Sequence, residues 1–173
     1  MNKKREISQH ISLLTRMALL AAIIFVLTSS LKIPTATGYV HLGDAAVCFA
    51  AVLLPTPFAL VTAALGASLA DLAAGYPQWI IITALIKAAM TLAFSSKGGK
   101  LLCPRNYIAL IAAVLINALG YYLGGSFMYG NFTVSLSEIP SNLLQGAVGA
   151  LIFLVLCGII DKNESLRRLL RGR

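Results

Sequence analysis

The chain is short of charge. Asp, Glu, Lys and Arg make up 12% of its 173 residues, about half the roughly 25% typical of a soluble domain. With 58% apolar residues, that shortage excludes intrinsic disorder and fits a water-soluble globule badly. Acid is scarcest: six Asp and Glu stand against fourteen Lys and Arg, for a net charge of +8. A nucleic-acid binder would gather such charge in a patch on a polar surface. Here the basic residues lie in blocks between long apolar stretches, so no nucleic-acid partner is expected. Cysteine is also sparse. Cys48, Cys103 and Cys157 are far apart, with no CxxC or Cys/His spacing, which leaves no disulfide framework or zinc site to expect. They read as small buried apolar residues.

Catalytic signatures are missing too. There is no Gly-x-Ser-x-Gly, no His-Glu-x-x-His and no P-loop. Asp44 and Asp71 invite comparison with a membrane aspartyl pair, which needs two carboxylates sharing a site. Yet Leu42-Gly43-Asp44 is not Gly-x-Gly-Asp, and no Tyr-Asp precedes it. We therefore expect no catalytic residue, no metal and no cofactor in this chain, and any ATP-driven work must come from another chain. No internal repeat supports an inverted-repeat carrier.

What is present is apolar length. Six segments read as helices, about 12–31, 43–54, 58–74, 78–95, 107–127 and 139–160, with a basic amphipathic tail over 161–173. Pro55 and Pro57, Gly75 and Pro77, and Pro104 punctuate them. The run from Met17 follows Lys3, Lys4 and Arg5 as in a signal peptide, but lacks a cleavage motif and reads as a retained span. The fold expected is an all-α integral membrane protein: six transmembrane helices in one bundle, a single domain over 1–173. A span needs roughly 20 apolar residues, so the second segment, too short to cross unaided, is expected either partly shielded by neighbours or tilted with irregular ends. The topology follows from the basic residues. Lys3, Lys4, Arg5, Arg16, Lys97, Lys100, Arg105, Lys162, Arg167, Arg168, Arg171 and Arg173 all fall on one side of such a bundle. By the positive-inside rule both termini are then cytoplasmic, in a plasma membrane.

The remaining polar residues cluster toward the opposite, external side. Tyr39, His41 and Asp44 enter the second helix; Asp71, Tyr76 and Trp79 span the hairpin between the third and fourth. Thr83 and Lys87 follow Trp79 at i+4 and i+8, on one helical face. Asn117 and Tyr121 form an i, i+4 pair on the fifth helix; Glu138, Asn142 and Gln145 form a stripe on the sixth. An ionisable residue within a span is costly unless paired or solvated. Lys87 has three candidate partners, Asp44, Asp71 and Glu138. Asp44 also suits a helix N-terminus, the amides suit interhelical hydrogen bonding, and Tyr76 and Trp79 suit either an aromatic belt or a stacked ring. With no cluster of arginines, the set does not suit a phosphorylated compound; a small, neutral or weakly charged heteroaromatic fits better. Ala18 and Ala22, with Ala21, form a small-x-x-x-small face on the first helix that would let another helix approach. A similar stripe, Ala63, Ala67, Ala70 and Ala74, reads as internal packing.

The whole chain resembles the S component of an energy-coupling factor (ECF) vitamin transporter. The resemblance rests on six apolar helices in a chain of this size and on the alanine pair. It rests also on Val40-His41-Leu42-Gly43-Asp44, on Leu69-Ala70-Asp71-Leu72-Ala73-Ala74-Gly75-Tyr76, and on Trp79 with Thr83 and Lys87. Within that family it is most similar to the hydroxymethylpyrimidine and pyridoxine branch, and lacks pocket residues of the riboflavin, thiamine and biotin types. The resemblance implies a transmembrane coupling subunit and two cytoplasmic ATPases as partners, with Ala18 and Ala22 meeting the coupling subunit. It also implies toppling in the membrane to release a vitamin captured outside. The competing readings are a stand-alone carrier or channel and a membrane scaffold without transport.

Overall fold

The computed structural model describes residues 3–30, 32–34 and 39–172, except the side chains of Lys3, Arg5, Lys32 and Tyr39. Residue 31, where the first predicted helix ends, and Arg173 of the tail lie outside the described residues. The chain is helical almost throughout: α1 (Lys3–Ser30), α2 (Gly43–Leu53), α3 (Thr56–Ala73), α4 (Ile80–Leu92), α5 (Pro104–Tyr129), α6 (Phe132–Ser135), α7 (Glu138–Asp161) and α8 (Glu164–Arg171). A 3-10 turn, Pro77–Trp79, leads into α4. Two short antiparallel strands, β1 (Lys32–Pro34) and β2 (Tyr39–His41), pair Lys32 with His41 and Ile33 with Val40.

Each of the six predicted segments contains a helix, with differences at the edges. α1 begins nine residues earlier than expected, because its largely polar first turns continue the helix ahead of the apolar run. The polar loop after α5 contains α6, whose cap Asn131 accepts from the Thr133 and Val134 amides at 2.9 and 3.2 Å. The expected tail is α8, capped by Asn163, which accepts from the Leu166 amide at 3.0 Å. Prolines sit in the first turn of α3 and α5, where a missing N–H costs nothing. Gly130 ends α5 with φ +62°, a left-handed conformation that a side chain disfavours.

Among the described residues, four helical stretches are long and apolar enough to cross a membrane: Glu6–Ser30, Thr56–Ala73, Pro104–Tyr129 and Phe132–Asp161. Gly43–Leu53 and Pro77–Leu92 are apolar but shorter. The reason α2 can be so short is its position. It packs against α1, α3, α4 and α7, and every residue in it except Phe49 is buried. A helix enclosed by other helices satisfies its backbone internally and is not exposed to lipid along its length. One contiguous apolar cluster joins α2 to residues such as Ile24, Ala63, Met90, Ala113 and Phe153 of the surrounding helices. Ile81, Ile108 and Phe127, by contrast, are highly exposed, as a lipid-facing surface requires.

The small-residue stripes divide. Ala63, Ala67 and Ala70 are buried, and a Cβ at Gly66 would stand 2.7 Å from the Ala21 carbonyl oxygen, so α3 packs tightly on α1. Ala18 and Ala22 face outward, while Ala21 is half-buried. Cys48 and Cys157 are buried free thiols, and Cys103 is partly so.

Candidate functional site

The predicted stripes on α2, α4, α5 and α7 converge. The chain enters α2 through His41, whose Nδ1 accepts from the Gly43 amide at 3.1 Å. That contact turns the backbone and sets Asp44 in the first turn of α2, where the helix dipole favours an anion. Lys87 of α4 donates through Nζ to Asp44 Oδ1 at 2.5 Å and to Asn117 Oδ1 of α5 at 2.6 Å. Gln145 of α7 donates to Asp44 Oδ2 at 2.8 Å and accepts from the His41 amide at 3.1 Å. Asn117 Nδ2 reaches Asn142 Oδ1 at 3.3 Å, and Asn142 donates to the Glu138 carbonyl at 3.0 Å. A glycine makes this closure possible: a Cβ at Gly149 would lie 3.2 Å from both the Ala45 nitrogen and the Asp44 Cβ. A side chain there would press α7 away from α2 and lengthen the reach of Gln145 to the carboxylate.

Of the three acids open to Lys87, the structure selects Asp44. Lys87 and Asp44 are 1% and 2% exposed, so the pair is fully desolvated. Burying two charges this way is tolerable only because further hydrogen bonds complete the carboxylate and ammonium. The ammonium also lies 5.2 Å from the centre of the Tyr121 ring, within cation–π range. Tyr121 and Thr83 share a hydrogen bond of 3.0 Å. Trp79 tilts over Tyr121 with centroids 5.6 Å apart, and meets Tyr129 edge-on at 6.3 Å. Donors and acceptors therefore border a row of aromatic rings, an arrangement suited to a flat molecule with polar edges.

His41, Asp44, Trp79, Thr83, Lys87, Asn117, Tyr121, Asn142 and Gln145 thus form one connected set. Glu138 is buried one turn before Asn142. Asp71 is buried at the end of α3, near enough to Tyr121 to act on it electrostatically. Tyr76 is exposed at the rim, and the side chain of Tyr39 lies outside the described residues. Tyr129, Gly149 and Gly125, where a Cβ would crowd the Glu138 carboxylate, are absent from the sequence-based set. For two of them a signal was available: Asn117, Tyr121, Gly125 and Tyr129 recur at steps of four along α5, so the stripe simply continues. Among the described residues, no three His, Cys, Asp or Glu side chains gather as a metal-binding group.

Residues 8–162 match a family described as "ECF-type riboflavin transporter, S component". A solved structure described as "Structure and mechanism of the S component of a bacterial ECF transporter" is similar to the chain, with a TM-score of 0.67 at 20% identity. The match covers 85% of this chain and 94% of that one, which is a likeness of fold. No curated protein sequence matches the chain. The chain belongs to the family of ECF-type transporter S components, the substrate-binding subunits of these membrane transporters.

Proposed function

We propose that this S component captures a small planar nitrogen heterocycle outside the cell, of the hydroxymethylpyrimidine or vitamin B6 type. A partner module of one transmembrane coupling subunit and two cytoplasmic ATPases then draws the ligand inward. The observation that carries the reading is the convergence of Asp44, Lys87, Asn117, Asn142 and Gln145 beside Trp79 and Tyr121. Amides and the lysine match the ring nitrogens and hydroxyls of such a ligand, while the aromatic rings match its face. All six apolar segments cross the plasma membrane in this reading, with both termini cytoplasmic and the site facing out; the placement of twelve of fourteen basic residues supports it. Outward-facing Ala18 and Ala22 on α1 are the docking face for the coupling subunit, with Ala21 at its edge. The chain itself performs no catalysis and holds no cofactor; ATP is spent by the ATPases.

A second reading, riboflavin as the ligand, is favoured by the description of the matching family. Calorimetric titration of the detergent-purified chain with hydroxymethylpyrimidine, pyridoxine and riboflavin separates the two. We expect submicromolar binding of a pyrimidine or pyridine. Binding of riboflavin alone supports the second reading, and heat from none of the three rejects both.

A further inference from the structure

Two acids in the site region are treated differently by their surroundings. Asp44 is answered on both oxygens, by Lys87 and by Gln145. Glu138 is only 4% exposed, yet among the described residues it forms no ion pair, and its Oε1 accepts no hydrogen bond. A buried carboxylate oxygen without a donor is an expensive arrangement. The position of Glu138 in the first turn of α7 eases this only in part, because the helix dipole does not replace a hydrogen bond.

The surroundings leave room for this carboxylate and aim it. On α5, a Cβ at Gly125 would stand 3.1 Å from both Glu138 oxygens, so any larger residue would push the carboxylate away. Tyr129, one turn beyond Gly125, is near enough to hydrogen-bond the Glu138 carboxyl, leaving Oε1 as the unanswered oxygen, and packs edge-on against Trp79. Glu138 therefore stands at the end of the row Tyr121–Trp79–Tyr129. The pair formed by Asp44 and Lys87 is neutral overall, so Glu138 adds negative charge next to aromatic faces, and both attract a cation.

We propose that Glu138 recognises a protonated amine carried by the heterocycle, so that the preferred substrate is a cationic amino-substituted ring. This inference rests on reading the site as a substrate pocket. The ammonium donates to Oε1 while the ring lies along Trp79 and Tyr121, and the Lys87 layer contacts the opposite edge. Glu138 is then a specificity determinant, distinct from the Asp44–Lys87 pair at the opposite edge.

The test compares pyridoxamine with pyridoxine, which share a ring and differ by an ammonium in place of a hydroxyl. Calorimetry on the full chain in detergent should give pyridoxamine the tighter binding by about tenfold, the usual margin of a charge-assisted over a neutral hydrogen bond. Glu138→Gln keeps the shape and should bring the two ligands within about twofold of each other. Gly125→Ala, which crowds the carboxylate without removing it, should lower pyridoxamine affinity several-fold and serves if Glu138→Gln is not monodisperse. Equal affinities in the unaltered chain overturn the inference, as does a preference that survives Glu138→Gln. Binding of pyridoxine or riboflavin with no gain from the ammonium overturns it while leaving substrate capture standing. If none of these rings binds, both fall together.

Discussion

The two ends of the bundle use their polar residues in different ways. At the end where α2 and α7 begin, the bonds that join helices run chiefly between side chains: Asp44 with Lys87 and Gln145, Lys87 with Asn117, Thr83 with Tyr121, with the His41 amide and the Glu138 carbonyl as backbone partners beside them. At the end where α7 finishes and α5 begins, side chains bond chiefly backbone. Asp161 accepts from the Leu101 and Leu102 amides, both at 2.8 Å. Asn106 is fully buried; it accepts from the Ser95 amide and donates to the Ser95 and Leu101 carbonyls. Arg171 of α8 donates to the Gly98 carbonyl, and its own carbonyl accepts from Arg16 of α1 at 2.7 Å. Groups tied to backbone hold a loop in place and cannot change partners unless the loop opens. Side chains tied to one another can turn toward a ligand and back, at the cost of one hydrogen bond for another. In the proposed function the first end binds and the second holds shape.

Breaking the binding end should have the largest effect. Lys87→Met leaves the Asp44 charge buried and alone, which costs about 3–5 kcal/mol and removes ligand binding. Adding Asn at Asp44 in the same chain should restore most of the stability without restoring binding. Thermal unfolding in detergent, followed by titration of each variant, checks both parts. A double variant as unstable as the single one would mean that pairing is not what the lysine supplies.

Next in size is the separation of capture from delivery. The outward alanines begin two residues beyond Arg16, nearer the shape-holding end than the ligand. Ala18→Trp should abolish uptake by cells that carry the coupling module while leaving ligand affinity unchanged in the purified chain. Loss of binding along with uptake would instead place the alanines in internal packing. The smallest effect belongs to the backbone clamp. Asp161→Ala removes two charge-assisted hydrogen bonds and should cost about 2 kcal/mol, with faster amide hydrogen exchange at Leu101 and Leu102. Ligand affinity should stay the same. A matching fall in affinity would erase the distinction between the two ends.

Much of the helical frame was legible. Apolar length marked the segments, and Pro55, Pro57, Gly75, Pro104 and Gly130 marked their limits, because these residues restrict or free the backbone wherever they occur. The start of α1 was not legible, since residues 3–11 are mostly polar and precede the apolar run, with only Ile7 and Ile11 to extend it. Nor was the β1–β2 pairing, because three-residue strands owe their existence to each other and leave no pattern of their own. The backbone clamp at Asp161 and Asn106 also escaped notice. An acid or amide at a helix end reads as ordinary solvated surface until the loop that covers it is placed.

The sequence alone determined that this chain lives in a membrane, which stretches are helical, and which face of each helix is polar. Apolar length and the 3.6-residue period are local properties, and no partner is needed to express them. Only the tertiary structure decided that the shortest apolar helix is the innermost one. It also decided that Lys87 closes on Asp44 and that Glu138 is left without a counter-charge among the described residues. Those outcomes depend on how closely helices approach, through contacts such as Gly149 against Asp44 and Gly125 against Glu138. A missing Cβ there leaves room for such groups to approach, across 101 residues of chain in the case of Asp44 and Gln145.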